Sequence, residues 1–248
     1  MSVAVFAAGG YRYIEGVFQY SGGSAAQPGF EVVRARFKRP LPLAEGFKAI
    51  EAHIKSAGRP LTSFCACELR SPRPFTEQGF TDFNRAYVQT LERWGVYKDG
   101  RNPVARTNVC PAHGAPAEPS FYAFSFTVPS PSANGSFVIA GSGEAPEGAG
   151  SYLERMIRPG DVSIDGLRDK MRYVLGEMEN RLRQLGFGWD DAGSTQMYTV
   201  RDVGALVEPE IFKRGAAPGG LSWHLCRPPV AGLEYEMDVR GAARELLL

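Results

Sequence analysis

Arg106 stands in the run Pro103-Val104-Ala105-Arg106-Thr107-Asn108-Val109, where a turn gives way to a strand-like segment. A planar guanidinium fixed at a strand start is a two-pronged receptor for a carboxylate. Glu234 alternates with Glu236 and Asp238 late in the chain, and the Glu234 carboxyl suits water activation or proton relay if burial lifts its pKa. His224, one of three histidines, is the other acid/base candidate. Backbone N–H groups near Gly22 and Gly141 can approach an oxyanion, because glycine allows close contact. On residues alone each has a plain competitor. Arg106 can pair with a surface carboxylate, the Glu234-Glu236-Asp238 row can be a solvated face, and His224 can be a satisfied structural histidine. Asn84, on an amphipathic run, is a site candidate or a cap. Ser21 and Ser142 have no Ser-His-Asp arrangement beside them, which argues against nucleophilic catalysis.

The elements that must position these groups occur in two similar sets. In the first, residues 17–20 read as a short strand ending in Ser21-Gly22-Gly23, and residues 31–37 as its hairpin partner. Leu43, Phe47, Ile50 and Ile54 recur at helical spacing and Gly58 supplies the stop. Residues 63–69 form a strand on which Cys65 and Cys67, at i and i+2, face one way as small buried thiols. A second helix carries Phe80, Phe83, Tyr87, Leu91 and Trp94, and strands at 106–110 and 121–128 complete the set. After a linker at 129–134 the order returns. It comprises a strand at 136–140, a helix with Leu167, Met171, Val174, Leu175, Met178, Leu182 and Leu185, a strand at 194–200, a helical piece at 209–214 and a final strand at 233–239. The helix-ending Gly58 and Gly186 lie 128 residues apart, which indicates internal duplication. The expected domains are residues 1–130 and 131–248.

A chain of 248 residues suits two ordinary domains. A net charge of +1 with scattered Lys and Arg gives no phosphate-tracking surface, so nucleic acid is not an expected partner. No apolar run approaches the roughly 20 residues that span a bilayer, and the N-terminus lacks the basic region of a signal peptide. The four cysteines match neither a zinc pattern nor a disulfide framework, so no metal is expected and the compartment reads as reducing and cytoplasmic. The Gly-rich turns, including Gly148-Ala149-Gly150, form no dinucleotide or phosphate fingerprint, so no nucleotide cofactor is expected.

Ser21-Gly22, Ala57-Gly58, Phe83-Asn84-Arg85-Ala86-Tyr87 and the run from Pro103 to Val109, in that order, resemble the YjgF/RidA family of small trimeric enamine/imine deaminases. The second half resembles the same family through Ala140-Gly141, Leu185-Gly186 and Leu233-Glu234-Tyr235-Glu236. The whole chain is thus similar to a tandem version. Its C-terminal run GGLSWHLCRPPVAGLEYEMDVRG is similar to that of tandem chains that deaminate 2-aminomuconate and its 5-chloro analogue.

The resemblance implies an α+β fold of two tandem YjgF/RidA-like (chorismate mutase-like) lobes, each a mixed sheet with two helices on one face. It also implies a cofactor-free hydrolysis of a 2-amino dicarboxylate, and a homo-oligomer, most simply a homotrimer with six lobes in pseudo-sixfold arrangement. Broad imine deamination and non-catalytic dicarboxylate binding are the alternatives. In the family each subunit carries a carboxylate-clamping arginine and a water-positioning glutamate. The first half keeps Arg106 but has Phe121-Tyr122-Ala123 where the glutamate belongs; the second keeps Glu234 but has Gly219-Gly220 near the arginine position, followed by Trp223, His224 and Arg227. The implied site joins Arg106 of one lobe to Glu234 of another, across a subunit boundary. Glu234 and His224 would carry catalysis, with Arg106, Ser21, Gly22, Asn84, Gly141, Ser142, Trp223 and Arg227 binding substrate.

Overall fold

The structure, a computed structural model, describes residues 2–131, 135–148 and 150–248. The chain opens with β1 (Val3–Phe6), β2 (Tyr11–Ile14) and β3 (Gly23–Ala26). It continues through β4 (Phe30–Pro42), α1 (Leu43–Ser56), β5 (Phe64–Arg70), α2 (Glu77–Arg93), β6 (Ala105–Pro111) and β7 (Ser120–Pro129). The second pass comprises β8 (Phe137–Gly143), the single turn α3 (Tyr152–Arg155), α4 (Ile164–Gln184) and β9 (Ser194–Tyr198). It closes with β10 (Leu221–His224), β11 (Cys226–Arg227), β12 (Glu236–Gly241) and β13 (Arg244–Leu247). The expected linker falls partly on residues 132–134, and Ala149 lies within the third Gly-rich turn; both lie outside the described residues.

Two mixed sheets carry the same internal order. β4-β7-β5-β6 in one matches β8-β12-β9-β10 in the other, with the last pair parallel in each. Phe47, Ile50 and Ile54 on α1 and Tyr87, Val88 and Leu91 on α2 pack against Phe121, Phe124 and Phe126 on one face of the first sheet. The Thr76 hydroxyl caps α2 by accepting the Gly79 amide at 3.1 Å. In the second lobe, Leu167, Met171, Val174, Leu175, Met178 and Leu182 on α4 cover Ile139, Met197, Met237 and Val239. The second helical piece is short, an α-turn at Gly204–Leu206 that widens into a π-type turn at Val207–Phe212. Pro209 lies in that turn and has no amide to donate, so the tighter ladder cannot continue through it.

Sheet membership crosses residue 130. β3 pairs with β8 and brings β2 and β1 into the second sheet, while β13 from the C-terminus pairs with β4 in the first. Residues 17–20, expected as a strand, form a turn closed by a single Val17–Tyr20 bridge. Cys65 and Cys67, expected to face one way, point to opposite sides: Cys65 lies between the sheets and Cys67 in the helix-covered core. The cause is a register shift between Phe64 and Ala66 against β7, which inserts an extra residue and inverts the alternation.

The bare faces of the two sheets meet through Tyr11, Tyr13, Val32, Val138 and small residues such as Ala66, Ala105 and Ala140. Small side chains let the backbones approach, and hydrogen bonds then join the lobes: Tyr11 Oη to Phe64 O at 3.0 Å, Ser24 Oγ to Cys65 O at 3.0 Å and Thr107 Oγ1 to Asp238 Oδ2 at 2.7 Å. Within the second lobe a fully buried ion pair fixes the approach to β12. Lys170 Nζ lies 3.3 Å from Glu144 Oε1 and donates to Ile157 O at 2.9 Å. The Glu144 carboxylate accepts the amides of Glu234 at 2.6 Å and Tyr235 at 3.1 Å. Lys170→Ala leaves this carboxylate buried without its cation, so urea unfolding is expected to show a loss of about 3–5 kcal/mol. A loss below about 1 kcal/mol would mean that the pair does not fasten this segment.

Candidate active site

Arg106 is the second residue of β6, and its neighbours Ala105 and Thr107 face the other lobe. Its own side chain therefore turns toward α2. The guanidinium carbon lies 4.9 Å from the Tyr87 ring centre, 5.1 Å from Tyr20, 5.6 Å from Phe83 and 5.7 Å from Phe80. Aromatic faces offset part of the cost of burying a cation, but they satisfy no N–H. Arg106 is 3% exposed, and neither Nη1 nor Nη2 has a hydrogen-bond partner among the described residues. Asn108, two residues on and on the same side of the strand, has no acceptor for Nδ2 among the described residues, while its Oδ1 accepts Ser71 Oγ at 2.9 Å. Three unused donors thus project from one strand face, where a carboxylate would complete them.

Both residues line a pocket with an empty volume of about 470 Å³, mouth included, whose other wall comes from the second lobe of the same chain. Gly141, Ser142 and Gly143 of β8 and Glu236 of β12 form that wall. Glu236 is 3% exposed. Burial, then the charges of Asp238 and Glu144, push its carboxyl well above the usual range, while Arg70 and Arg106 pull the other way. It is therefore a candidate proton donor near neutral pH. Gly141 makes the juxtaposition possible, because a Cβ there would overlap Glu236 Oε1 and crowd the Thr107 backbone at 3.2 Å. Tyr20 and Tyr152 add polar ends at the mouth: Tyr20 Oη donates to Glu147 Oε1 at 2.8 Å, and burial pushes the Tyr152 phenol up to about 12.

Arg106, Gly141 and Ser142 are thereby brought together. Ser142 Oγ, within 3.4 Å of Arg181 Nη2, lines the pocket beside Glu236. Glu234 lies outside it. Strand pairing in β12 begins only at Glu236, because the Glu234 and Tyr235 amides are spent on Glu144. The Glu234 carboxylate is gripped by Arg201 at 2.8 and 3.0 Å, on the half-exposed side of the turn. His224 lines a different cleft, with Nε2 2.6 Å from Gln196 Oε1 and its ring stacked on Tyr198 at 5.0 Å. Burial and the nearby Arg70 lower its pKa.

Trp223 Nε1 donates to Thr199 O at 3.1 Å, and Arg227 is exposed on β11 opposite Cys110. Ser21 joins chain segments, its amide donating to Val104 O at 2.9 Å and its hydroxyl to Pro103 O at 3.1 Å. The Gly22 amide is likewise used, on Ile14 O at 3.0 Å. Asn84 is fully buried on α2, neither of its side-chain amide atoms has a partner among the described residues, and it does not line the pocket. The sequence reads Glu236 only as part of an acidic row, and Asn108, Tyr20, Glu147 and Tyr152 are not among its candidates. Asn108 had a readable signal, its i+2 spacing from Arg106; the other three arrive from loops and a single helical turn.

No group of three or more His, Cys, Asp or Glu among the described residues is arranged to hold a metal ion. No helix among them is long and apolar enough to cross a membrane. The cysteines are free and buried, and burial pushes the Cys65, Cys67 and Cys110 thiols up to about 12, which disfavours thiolate chemistry.

A family model described as 2-aminomuconate deaminase CnbZ matches residues 3–246. The chain is 60% identical over 246 residues, 98% of either chain, to the 2-amino-5-chloromuconate deaminase of Comamonas testosteroni. Among solved structures, a chorismatase is similar over 91% of this chain and 78% of its own, with 17% identity and a TM-score of 0.43. The YjgF gene product of E. coli is similar over 44% of this chain and 81% of its own, with 15% identity and a TM-score of 0.32. On the family match and the full-length identity, the chain belongs to the 2-aminomuconate deaminase CnbZ family.

Proposed function

We propose that this chain is a hydrolytic deaminase that converts 2-aminomuconate, or its 5-chloro analogue, to the 2-oxo acid and ammonia. The observation that carries the reading is the pairing, in one pocket, of the unpartnered Arg106 guanidinium with the buried Glu236 carboxyl. Arg106 and Asn108 hold the carboxylate beside the C–N carbon and so set the orientation of the enamine. Protonated Glu236 gives its proton to the enamine carbon, which leaves an iminium. The resulting carboxylate takes a proton from water as the oxygen adds to the iminium carbon. The re-protonated carboxyl gives that proton to the amino nitrogen, the C–N bond breaks, ammonia leaves and the new hydroxyl returns its proton to Glu236. One water is consumed, and Glu236 ends as it began.

The reading extends to assembly. Trp223 and Leu225 beside β10 and β11, and Leu246 and Leu247 on β13, are exposed apolar residues on sheet edges. They fit self-association; for the proposed homotrimer light scattering would give three times the 27.0 kDa chain mass, and a monomeric mass contradicts it.

Freshly generated 2-aminomuconate is expected to release ammonia with purified protein, at a rate indifferent to chelator. Glu236→Gln is expected to lower kcat by about 10²–10⁴-fold, the typical range for loss of a general acid, whereas Glu234→Gln retains most activity. The reverse ranking in steady-state assays would move the acid/base role to Glu234. Because Glu236 acts first in its protonated form and its pKa is raised, kcat/KM is expected to fall as pH rises through that pKa, not as pH falls. Gly141→Ala displaces the Glu236 carboxyl and crowds the Thr107 backbone, and is expected to cost about 10²-fold in kcat/KM together with a lowered thermal midpoint. Unaltered kinetics in this variant would rule out the tight Gly141–Glu236 approach.

A further inference from the structure

A second cleft opens between the sheets, with an empty volume of about 530 Å³, and four arginines line it: Arg34, Arg36, Arg70 and Arg240. Two are paired. Glu68 accepts from Arg34 at 2.6 and 3.0 Å and from Arg240 at 2.8 Å, and Arg240 also holds Asp238 at 2.6 Å. Burial opposes ionisation of Glu68, but Arg240 and Arg34 outweigh it and hold the carboxyl well below the usual range. That carboxylate is already shared.

Arg70 and Arg36 have no carboxylate within 4.0 Å among the described residues. Arg70 is 5% exposed, and among the described residues its one side-chain hydrogen bond is from Nη1 to the adjacent Leu69 O at 3.0 Å. Its guanidinium lies 4.1 Å from the Tyr122 ring centre and 5.6 Å from Tyr198, and Arg36 reaches the same Tyr122 ring at 5.8 Å. Tyr122 thus holds two guanidinium groups in place without using their N–H donors. A desolvated cation without an anion is costly, and an arginine cannot shed its proton to escape that cost. Across the cleft, the second lobe presents the Gln196 amide and the His224 ring.

We propose that this cleft binds a small oxyanion, a carboxylate or phosphate group gripped by Arg36 and Arg70, at a site separate from the Arg106 pocket. It is a binding site and not a second reaction centre: of the carboxylates lining it, Glu68 is held by Arg34 and Arg240, and the exposed Glu245 accepts from Arg34 Nη1 at 3.2 Å. Because its walls come from both sheets, an occupant ties the lobes together.

Inorganic phosphate and succinate are the probes, tested by calorimetry and thermal midpoint at constant chloride. Arg106→Met removes the carboxylate clamp of the first pocket and is expected to abolish turnover while leaving one anion bound per chain and the midpoint still raised. Arg36→Gln, at a half-buried residue with no ion pair among those described, is expected to fold normally and to weaken that binding at least tenfold. Arg70→Gln is expected to weaken it further. Tighter binding of phosphate or of succinate identifies which oxyanion the site takes. Absence of binding to Arg106→Met at millimolar concentrations of both probes, or binding that Arg36→Gln leaves unchanged, overturns the proposal, as does a second chain found seated in the cleft.

Discussion

A guanidinium buried without an anion is the constraint on which the rest of this molecule depends. Arg106 is kept in place by packing: Tyr87, Phe83 and Phe80 from the first lobe and Tyr20 from the N-terminal segment surround it. Those rings partly compensate the charge and leave its hydrogen-bonding edge unused. The second lobe could have closed that edge with a carboxylate in a salt bridge. It presents instead Gly141 and a carboxyl, Glu236, whose pKa burial and like charge push well above the usual range. The hydrogen-bonding edge of the cation therefore has no partner among the described residues.

This arrangement needs two sheets at close range. Alanines at 66, 105 and 140 let the sheet faces approach, and Thr107, one residue from Arg106, anchors the contact through Asp238. Asp238 also accepts from Tyr198 at 2.8 Å and from Arg240, so the contact that joins the lobes contributes the charge that lifts Glu236. On its other side Arg70 and Arg36 line the second cleft with no carboxylate within 4.0 Å among the described residues. Structural and chemical roles of the charged residues are thus coupled through Asp238 and Arg70.

Much of this organisation was legible in the sequence, for identifiable reasons. The long helices declare themselves by period, and the repeated strand order follows from the duplicated pattern of helix, glycine stop and strand. Arg106 and Gly141 were legible because each lies at a motif boundary with few structural alternatives. The placement of Glu236, and not Glu234, in the pocket wall was not. Alternation places Glu234 and Glu236 on one strand face, but Glu144 takes two amides just before the strand and starts the ladder at Glu236. A contact across 90 residues decides it. β3, reading Gly-Ser-Ala-Ala, has too little side chain to show a period, and its place in the second sheet comes from pairing with β8. The bulge that separates Cys65 from Cys67 is likewise a property of the pairing with β7, not of the segment itself.

The central claim is that one chain supplies both halves of its own site, Arg106 from the first lobe and Glu236 from the second. Mixing tests it most directly. Arg106→Met and Glu236→Gln chains, each inactive alone, would be co-expressed, assembled together and assayed for ammonia release from 2-aminomuconate. An intrachain site gives no recovery, since every site in the mixture lacks one partner. Recovery of a substantial fraction of wild-type activity would show that the arginine and the acid meet across a subunit boundary and would contradict this account.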